Sequence, residues 1–313
     1  MRLLITGGAG CLGFNLTEEH LAQGDEILVI DNFATGSREA LTALPRLEIV
    51  DGTVADRQMV EAAFNRFAPT HVIHSAASYK DPNDWREDVA TNVTGTINTV
   101  EAARHVSVKR FVYLQTALCY GRPERVPIPV EHPIRPFTSY GISKTAGEAY
   151  LAISDLPWVS LRLANITGPR LAIGPVPTFY KRLKSGQECF CTDTVRDFLD
   201  ISDFLALMRI VLRDDAPTGV FNVSTGEGHT IAEVFSTIAA CLGTTVPEPV
   251  RVVPAAADDV PAVVLDPSRT CAALGWRAEL SLSESIARVV RWYDIYGVPV
   301  IHSHLRLPPA EAS

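Results

Sequence analysis

Arg2-Leu3-Leu4-Ile5-Thr6-Gly7-Gly8-Ala9-Gly10-Cys11-Leu12-Gly13 is the stretch that decides the fold. A short apolar run reads as a buried strand, glycines follow at once with a spacing of three, and an apolar-periodic helix then ends near Gly24. Glycine permits the tight turn and lets the backbone approach a pyrophosphate, whose charge is stabilised by the N–H groups at the helix start. A second strand, Glu26-Ile27-Leu28-Val29-Ile30-Asp31, ends in an acid. Asp31 is placed to accept hydrogen bonds from an adenosine ribose and to repel a 2′-phosphate. Gly7, Gly10, Gly13 and Asp31 therefore predict a site for NAD in preference to NADP.

Further strands read at 47–50, 71–74, 110–114 and 159–163, separated by helical stretches at 57–67, 85–105 and 138–153. The alternation predicts an α/β fold with a doubly wound parallel Rossmann sheet. Ligands bind such sheets at the carboxyl ends of the strands, an edge that carries the glycine turn, Asp31, Ser75-Ala76-Ala77 and Thr116. The small Ala76 and Ala77 let a cofactor lie close to the backbone, whereas His74, ending a buried strand, reads as a core residue. After residue 164 the alternation weakens. The expected division is an NAD-binding domain over 1–164, with segments around 195–215 packing back on it, a smaller α/β substrate-binding domain over 165–302, and a flexible tail over 303–313.

Chemistry is concentrated between 111 and 144. Phe111-Val112-Tyr113-Leu114 delivers Gln115 and Thr116 at the end of a buried strand, and Ser139-Tyr140-Gly141-Ile142-Ser143-Lys144 opens a helix. Residues four apart share a helix face, and an ammonium beside a phenol favours phenolate. Tyr140 is thus expected to act as a base near neutral pH, with Thr116 relaying the proton, which is chemistry for oxidising an alcohol. Tyr180 and Lys184 have the same spacing, but no strand-borne hydroxyl precedes them and they read as surface helix. The five prolines between Gly121 and Pro136 predict a loop beside this site.

With 313 residues, 47% of them apolar, the chain can bury a large core. A net charge of −8 argues against nucleic acid or an anionic membrane as the main partner and points to a small molecule. The six cysteines form no C-x-x-C pair, His302-Ser303-His304 lies in a Pro-rich end, and no metal site is expected. Without a charged leader or a long apolar run, the expected location is the cytoplasm.

Taken together, Thr6-Gly7-Gly8-Ala9-Gly10, Asp31-Asn32, Asn92-Val93-Thr94-Gly95-Thr96, Thr116, Tyr120-Gly121, Tyr140-x-x-x-Lys144, Asn165, Arg196-Asp197-Phe198 and Leu274-Gly275-Trp276 resemble the extended short-chain dehydrogenase/reductase family. Within it they are similar to the nucleotide-sugar epimerases and dehydratases. The resemblance implies that Thr116, Tyr140 and Lys144 are catalytic, with Lys144 also holding the nicotinamide ribose. It implies that Cys11, Leu12, Asn32, Arg38 and Asn92 help seat NAD, and that Thr53 replaces an aspartate often found near adenine. Asn165 and Arg196 would contact the diphosphate of a nucleotide-sugar. A homodimer would form through the helices at 85–105 and 138–153, whose apolar stripes carry Val89, Val93, Ile97 and Val100, and Ile142, Ala146, Ala149 and Ile153.

Subclass turns on the two residues after Thr116. The 4,6-dehydratases of the family carry Asp-Glu there and the decarboxylases keep the glutamate; here they are Ala117 and Leu118, neither of which transfers a proton. That resembles the 4-epimerases, in which hydride leaves C4 and returns after the keto-sugar has turned over. Arg170, in Gly168-Pro169-Arg170, resembles an arginine associated with the sugar carboxylate of hexuronate 4-epimerases, which implies UDP-glucuronate and UDP-galacturonate as substrates. Gly-Pro-Arg also occurs elsewhere in the family, so a phosphate contact or a salt bridge stays open. The other readings left open are a dehydratase, a net oxidoreductase and a UDP-glucose/UDP-galactose epimerase. The chain departs from the family at Gln115, where serine is usual, and at 189–195, which lacks a glycine-rich loop. Ala255-Ala256-Ala257-Asp258-Asp259 also stands where a second phosphate-binding arginine is common.

Overall fold

In a computed structural model describing residues 1–79, 81, 83–245, 250–256 and 259–299, the chain begins at the middle of its main sheet. The strands are β1 (Arg2–Thr6), β2 (Glu26–Asp31), β3 (Leu47–Asp51), β4 (His71–His74), β5 (Arg110–Thr116) and β6 (Trp158–Leu163). Four short ones follow, β7 (Asn165–Thr167), β8 (Phe190–Thr192), β9 (Val195–Arg196) and β10 (Phe198–Asp200), before β11 (Gly219–Val223). The main sheet has the order β11-β6-β5-β4-β1-β2-β3, and every pairing in it is parallel. The direction of winding reverses between β1 and β4, which opens a crevice at their carboxyl ends. His302, His304 and the tail, with Ala257 and Asp258, lie outside the described residues.

The crossovers include α1 (Cys11–Ala22), α2 (Arg38–Thr42), α3 (Arg57–Phe67), α4 (Trp85–Asp88), α5 (Gly95–His105) and α6 (Ser139–Ala152). Alternate residues of β1 and β2 feed opposite faces. Leu3, Ile5, Ile27 and Val29 join one core, and Leu4, Leu28 and Ile30 join the other with Val60, Phe64 and Val100. Each such fully buried aliphatic side chain contributes about 1.5–3 kcal/mol. The helix predicted over 85–105 carries a wide π turn at Val89–Thr94 between α4 and α5, and Asn92 is buried there.

Beyond residue 164 the chain divides its contacts between two layers. After α7 (Pro175–Lys184), helix α8 (Ile201–Val211) packs Phe204, Leu207 and Met208 into the first core, and β11 pairs with β6 to complete the main sheet. A separate core joins α7 to the helices Ile231–Cys241 and Leu282–Tyr296 through Phe179, Phe235, Ile238, Val289 and Tyr293. The Pro-rich loop 121–136 is tied to this half by the Ile128 N–H, which donates to the Val264 carbonyl at 2.8 Å.

Candidate active site

The glycine turn between β1 and α1 is as close-packed as its sequence demands. Gly7 has φ +69°, and a Cβ there would stand 2.7 Å from the Ala76 nitrogen. A Cβ on Gly13 would lie 2.1 Å from the Gly7 carbonyl oxygen. Gly10, which starts α1, is different: an added Cβ would meet only that carbonyl, at 3.4 Å, and would otherwise fill the cradle before the helix. Asp31 holds the turn to β2, accepting from the N–H of Ala9 at 2.8 Å and of Phe33 at 2.7 Å. Burial raises its carboxyl pKa and those two N–H donors oppose the rise. Its remaining lone pairs suit ribose hydroxyls. The cradle and this acid fit NAD.

Around them, Asn32 is exposed and accepts from the Ala34 N–H, Arg38 pairs with Asp51 and lies 4.1 Å from the centre of the Phe33 ring, and Thr53 accepts from the Ala55 N–H. Leu12 packs against the first core. The Cys11 thiol, pushed up to about 12 chiefly by burial, donates to the Pro169 carbonyl at 3.5 Å. On the other side of the turn, the Ala76 N–H donates to Thr6 Oγ1, and Ala77 continues the loop after β4.

Asn92 has a different place from the one expected. It is fully buried, its Oδ1 accepts from the Ser78 N–H, and its Nδ2 donates to the Ser78 carbonyl and to Ser143 Oγ. With both polar atoms engaged and no exposed surface, it fixes the 75–79 loop against α6. His74 is equally structural: its ring nitrogens lie 2.7 Å from Thr6 Oγ1 and 3.0 Å from Thr96 Oγ1. Burial, helped by the nearby Lys144 charge, lowers its pKa and keeps it neutral.

The residues expected to be catalytic come together where β5 meets α6. Thr138 caps α6, accepting from the Gly141 N–H, so Tyr140 falls in the first turn and Lys144 in the second. The Lys144 carbonyl accepts from Tyr113 Oη and Gln115 Nε2, both at 3.0 Å, and Gln115 Oε1 accepts from the Thr116 N–H at 2.8 Å. Gln115, in the usual place of a serine, thus wires Thr116 to Lys144. Thr116 Oγ1 accepts from the Leu118 N–H at 3.2 Å, which leaves its own hydrogen to donate elsewhere. Lys144 Nζ lies 4.0 Å from the centre of the Tyr113 ring. Burial draws the ammonium down to about 7, against the pull of the Glu148 carboxylate.

Tyr140 corrects an expectation. Its phenol is pushed up, first by burial and then by Tyr79 and the Asp88 carboxylate, instead of being drawn down by Lys144. Desolvation disfavours phenolate and ammonium alike, so each partner holds its neutral form more strongly than simple pairing suggests.

Of the three residues expected at a substrate, Asn165 is exposed at the start of β7 and donates Nδ2 to the Asp197 carbonyl. Arg196, on β9, is engaged by Asp259 at 2.5 Å and by the Val195 carbonyl, so an incoming diphosphate has to share or displace that acid. Arg170 stands apart. Its two terminal nitrogens reach both oxygens of Glu18, at 3.1 and 3.3 Å, and its guanidinium lies 3.8 Å from the centre of the Phe14 ring. Both partners are on α1, so Arg170 fastens the 168–170 turn to that helix.

Two features escaped the sequence reading. Tyr79 places its ring edge-on to Tyr140, with centroids 6.0 Å apart. Beneath Lys144, Glu148 holds Arg162 of β6 at 2.6 Å and accepts from Ser160 Oγ, while Arg162 donates to Tyr120 Oη and Tyr120 Oη to Asn222 Oδ1. Glu148 shares the face of Lys144 by its spacing of four, a signal that was readable, but Arg162 becomes its partner only through the sheet topology.

A Rossmann sheet carrying this Thr–Tyr–Lys set defines an extended short-chain dehydrogenase/reductase. More narrowly, the chain belongs to the NAD dependent epimerase/dehydratase family, whose model matches residues 3–224, and it is an NAD-dependent enzyme. The Bordetella bronchiseptica enzyme WbmG, solved with NAD and UDP, is 63% identical with a TM-score of 0.94, covering 98% of this chain and 99% of that one. WbmH of the same organism, solved with NAD+, is 41% identical with a TM-score of 0.88, over 95% and 99%. The UDP-glucose 4-epimerase of Mycolicibacterium smegmatis is 29% identical over 94% of this chain and 98% of its own length.

Proposed function

We propose that the chain is an isomerase that inverts C4 of a UDP-sugar. The observation that carries this is the turn after Thr116: Ala117 and Leu118 offer no proton, so the chemistry rests on Thr116, Tyr140 and Lys144. Bound NAD supplies the hydride acceptor and donor. Thr116 and Tyr140 take the proton of the C4 hydroxyl as hydride leaves C4, and return it after the 4-keto sugar has presented its other face. Lys144 would orient the nicotinamide ribose. Relatives named as UDP-glucose 4-epimerases and a 63% identical structure holding UDP support the nucleotide and the reaction.

The uronate reading rested on Arg170, and that guanidinium is already matched to a carboxylate of its own chain. The proposal therefore moves to a neutral UDP-hexose of the glucose/galactose type. Purified protein, with no NAD added, is to be incubated separately with UDP-glucose, UDP-glucuronate and UDP-N-acetylglucosamine and followed by proton NMR. Appearance of UDP-galactose is the expected result. A 4-keto-6-deoxy or unsaturated product, or turnover only with added NAD(P)H, overturns epimerisation, whereas turnover of UDP-glucuronate that Arg170→Ala abolishes restores the uronate reading.

A second copy of the chain completes the proposed assembly. Trp85 on α4, Val89 at the start of the π turn, Ile142 and Tyr150 on α6 and Ile153 just after it are exposed, Trp85 by 68% and Ile153 by 81%, while Val100 of the expected stripe is buried in the core. Light scattering should give twice the chain mass, and Ile153→Asp should shift it towards one; a monomeric native protein removes the dimer from the proposal.

A further inference from the structure

Gln115 lies between the strand that ends at Thr116 and the helix that carries Lys144, with 2% of its surface exposed. Pairing of β4 with β5 stops at Tyr113, so β5 runs on past the end of that neighbour before it reaches Thr116. There the Thr116 N–H donates to Gln115 Oε1 at 2.8 Å, and Gln115 Nε2 donates to the Lys144 carbonyl at 3.0 Å. One partner is a donor and the other an acceptor, which fixes the direction of the amide. The helix stands close to the strand at this point. A Cβ on Gly147 would lie 2.6 Å from Tyr113 Oη, the second side-chain donor to the Lys144 carbonyl. Elsewhere on α6, Asn92 Nδ2 donates to Ser143 Oγ and Ser143 Oγ to the Tyr140 carbonyl, both at 3.0 Å. The start of α6 is thus held from Asn92 and from β5, and Gln115 carries the tie that runs to Thr116.

We propose that Gln115 is a positioning residue that sets the Thr116 hydroxyl at its working distance from Tyr140 and Lys144 for the hydride-transfer step. Enclosed as it is, Gln115 acts on the reaction through the two backbones it joins. An amide presents an acceptor and a donor from one rigid plane, so a strand end and a helix turn bound to it keep a fixed separation. That separation matters because displacing a reacting group by about 1 Å costs on the order of 100-fold in rate. The inference rests on the proposed proton-transfer role of Thr116. It does not depend on which sugar is turned over or on what becomes of the 4-keto intermediate.

The test reads the first chemical step, reduction of bound NAD, as the rise of NADH fluorescence after rapid mixing with UDP-glucose, UDP-glucuronate or UDP-N-acetylglucosamine. Gln115→Met keeps the volume and removes both hydrogen bonds, and it is expected to slow that rise roughly 10- to 100-fold. The NAD content, and the sugar concentration that gives half the maximal rate, should stay within about twofold of native. Gln115→Asn, one methylene shorter, should fall between this variant and the native protein, and it decides the question if the methionine variant does not fold. Thr116→Val removes the hydroxyl itself. In that background Gln115→Met should change the rate by less than about twofold, because residues that act as a unit are not additive. Equal losses in both backgrounds, or a native rate in the Gln115 variants, would overturn the positioning role. A native protein that reduces its NAD with none of the three sugars overturns it together with the reading of Thr116, whereas reduction without inversion at C4 overturns the epimerase reading alone.

Discussion

Tyr140→Phe is expected to lower turnover by roughly 10²–10⁴-fold, the usual contribution of a positioned acid–base group, while NAD stays bound. The substitution removes one oxygen and leaves the ring that packs beside Tyr79. The pH dependence gives a second signature. Burial, Tyr79 and Asp88 hold the Tyr140 phenol above its ordinary value, so the fraction able to accept a proton grows as pH rises. The Lys144 ammonium, drawn down to about 7, loses its proton over the same rise. Activity should therefore climb as pH rises towards about 7 and level off above it, where loss of the ammonium offsets the growing fraction of phenolate. Tyr140→Phe should flatten the climb when turnover is measured from about pH 6 to about pH 10. Unchanged turnover in this variant would show that another group takes the proton.

What could be read from the sequence was local. The glycine turn, Asp31 and the Thr116, Tyr140 and Lys144 set each announce themselves within a few residues of a strand end or helix start, where chain geometry alone fixes which groups converge. The residues that moved did so through partners far away along the chain. Arg170 looks available in Gly168-Pro169-Arg170, yet Glu18 on α1 satisfies it across 152 positions. Asn92 looks like a cofactor ligand until the π turn and the 75–79 loop enclose it. The expected depression of the Tyr140 phenol followed from spacing, but burial decided the sign. Strand β11 gives no local sign that it will pair with β6, because one buried apolar strand reads like another.

Removing the Glu148 carboxylate should cost more stability than any exposed ion pair in the molecule. Glu148→Ala leaves Arg162, with only 7% of its side chain exposed, facing an empty space where two oxygens had been. Breaking a buried pair from one side costs about 3–5 kcal/mol, because the stranded charge keeps its desolvation penalty and loses its counter-charge. That is a large part of the 5–15 kcal/mol by which a domain is typically stable. The loss should spread along the chain of contacts from Ser160 through Arg162 and Tyr120 to Asn222, which ties α6 to β6, β11 and the Pro-rich loop. Replacing both partners, as Glu148→Leu with Arg162→Leu, should recover most of the stability, since the charge and its desolvation leave together. Urea titrations of the three proteins separate these cases. A Glu148→Ala variant within about 1 kcal/mol of the native protein would mean that water or another acid reaches Arg162. The pair would then not be what fixes the Lys144 helix to the sheet.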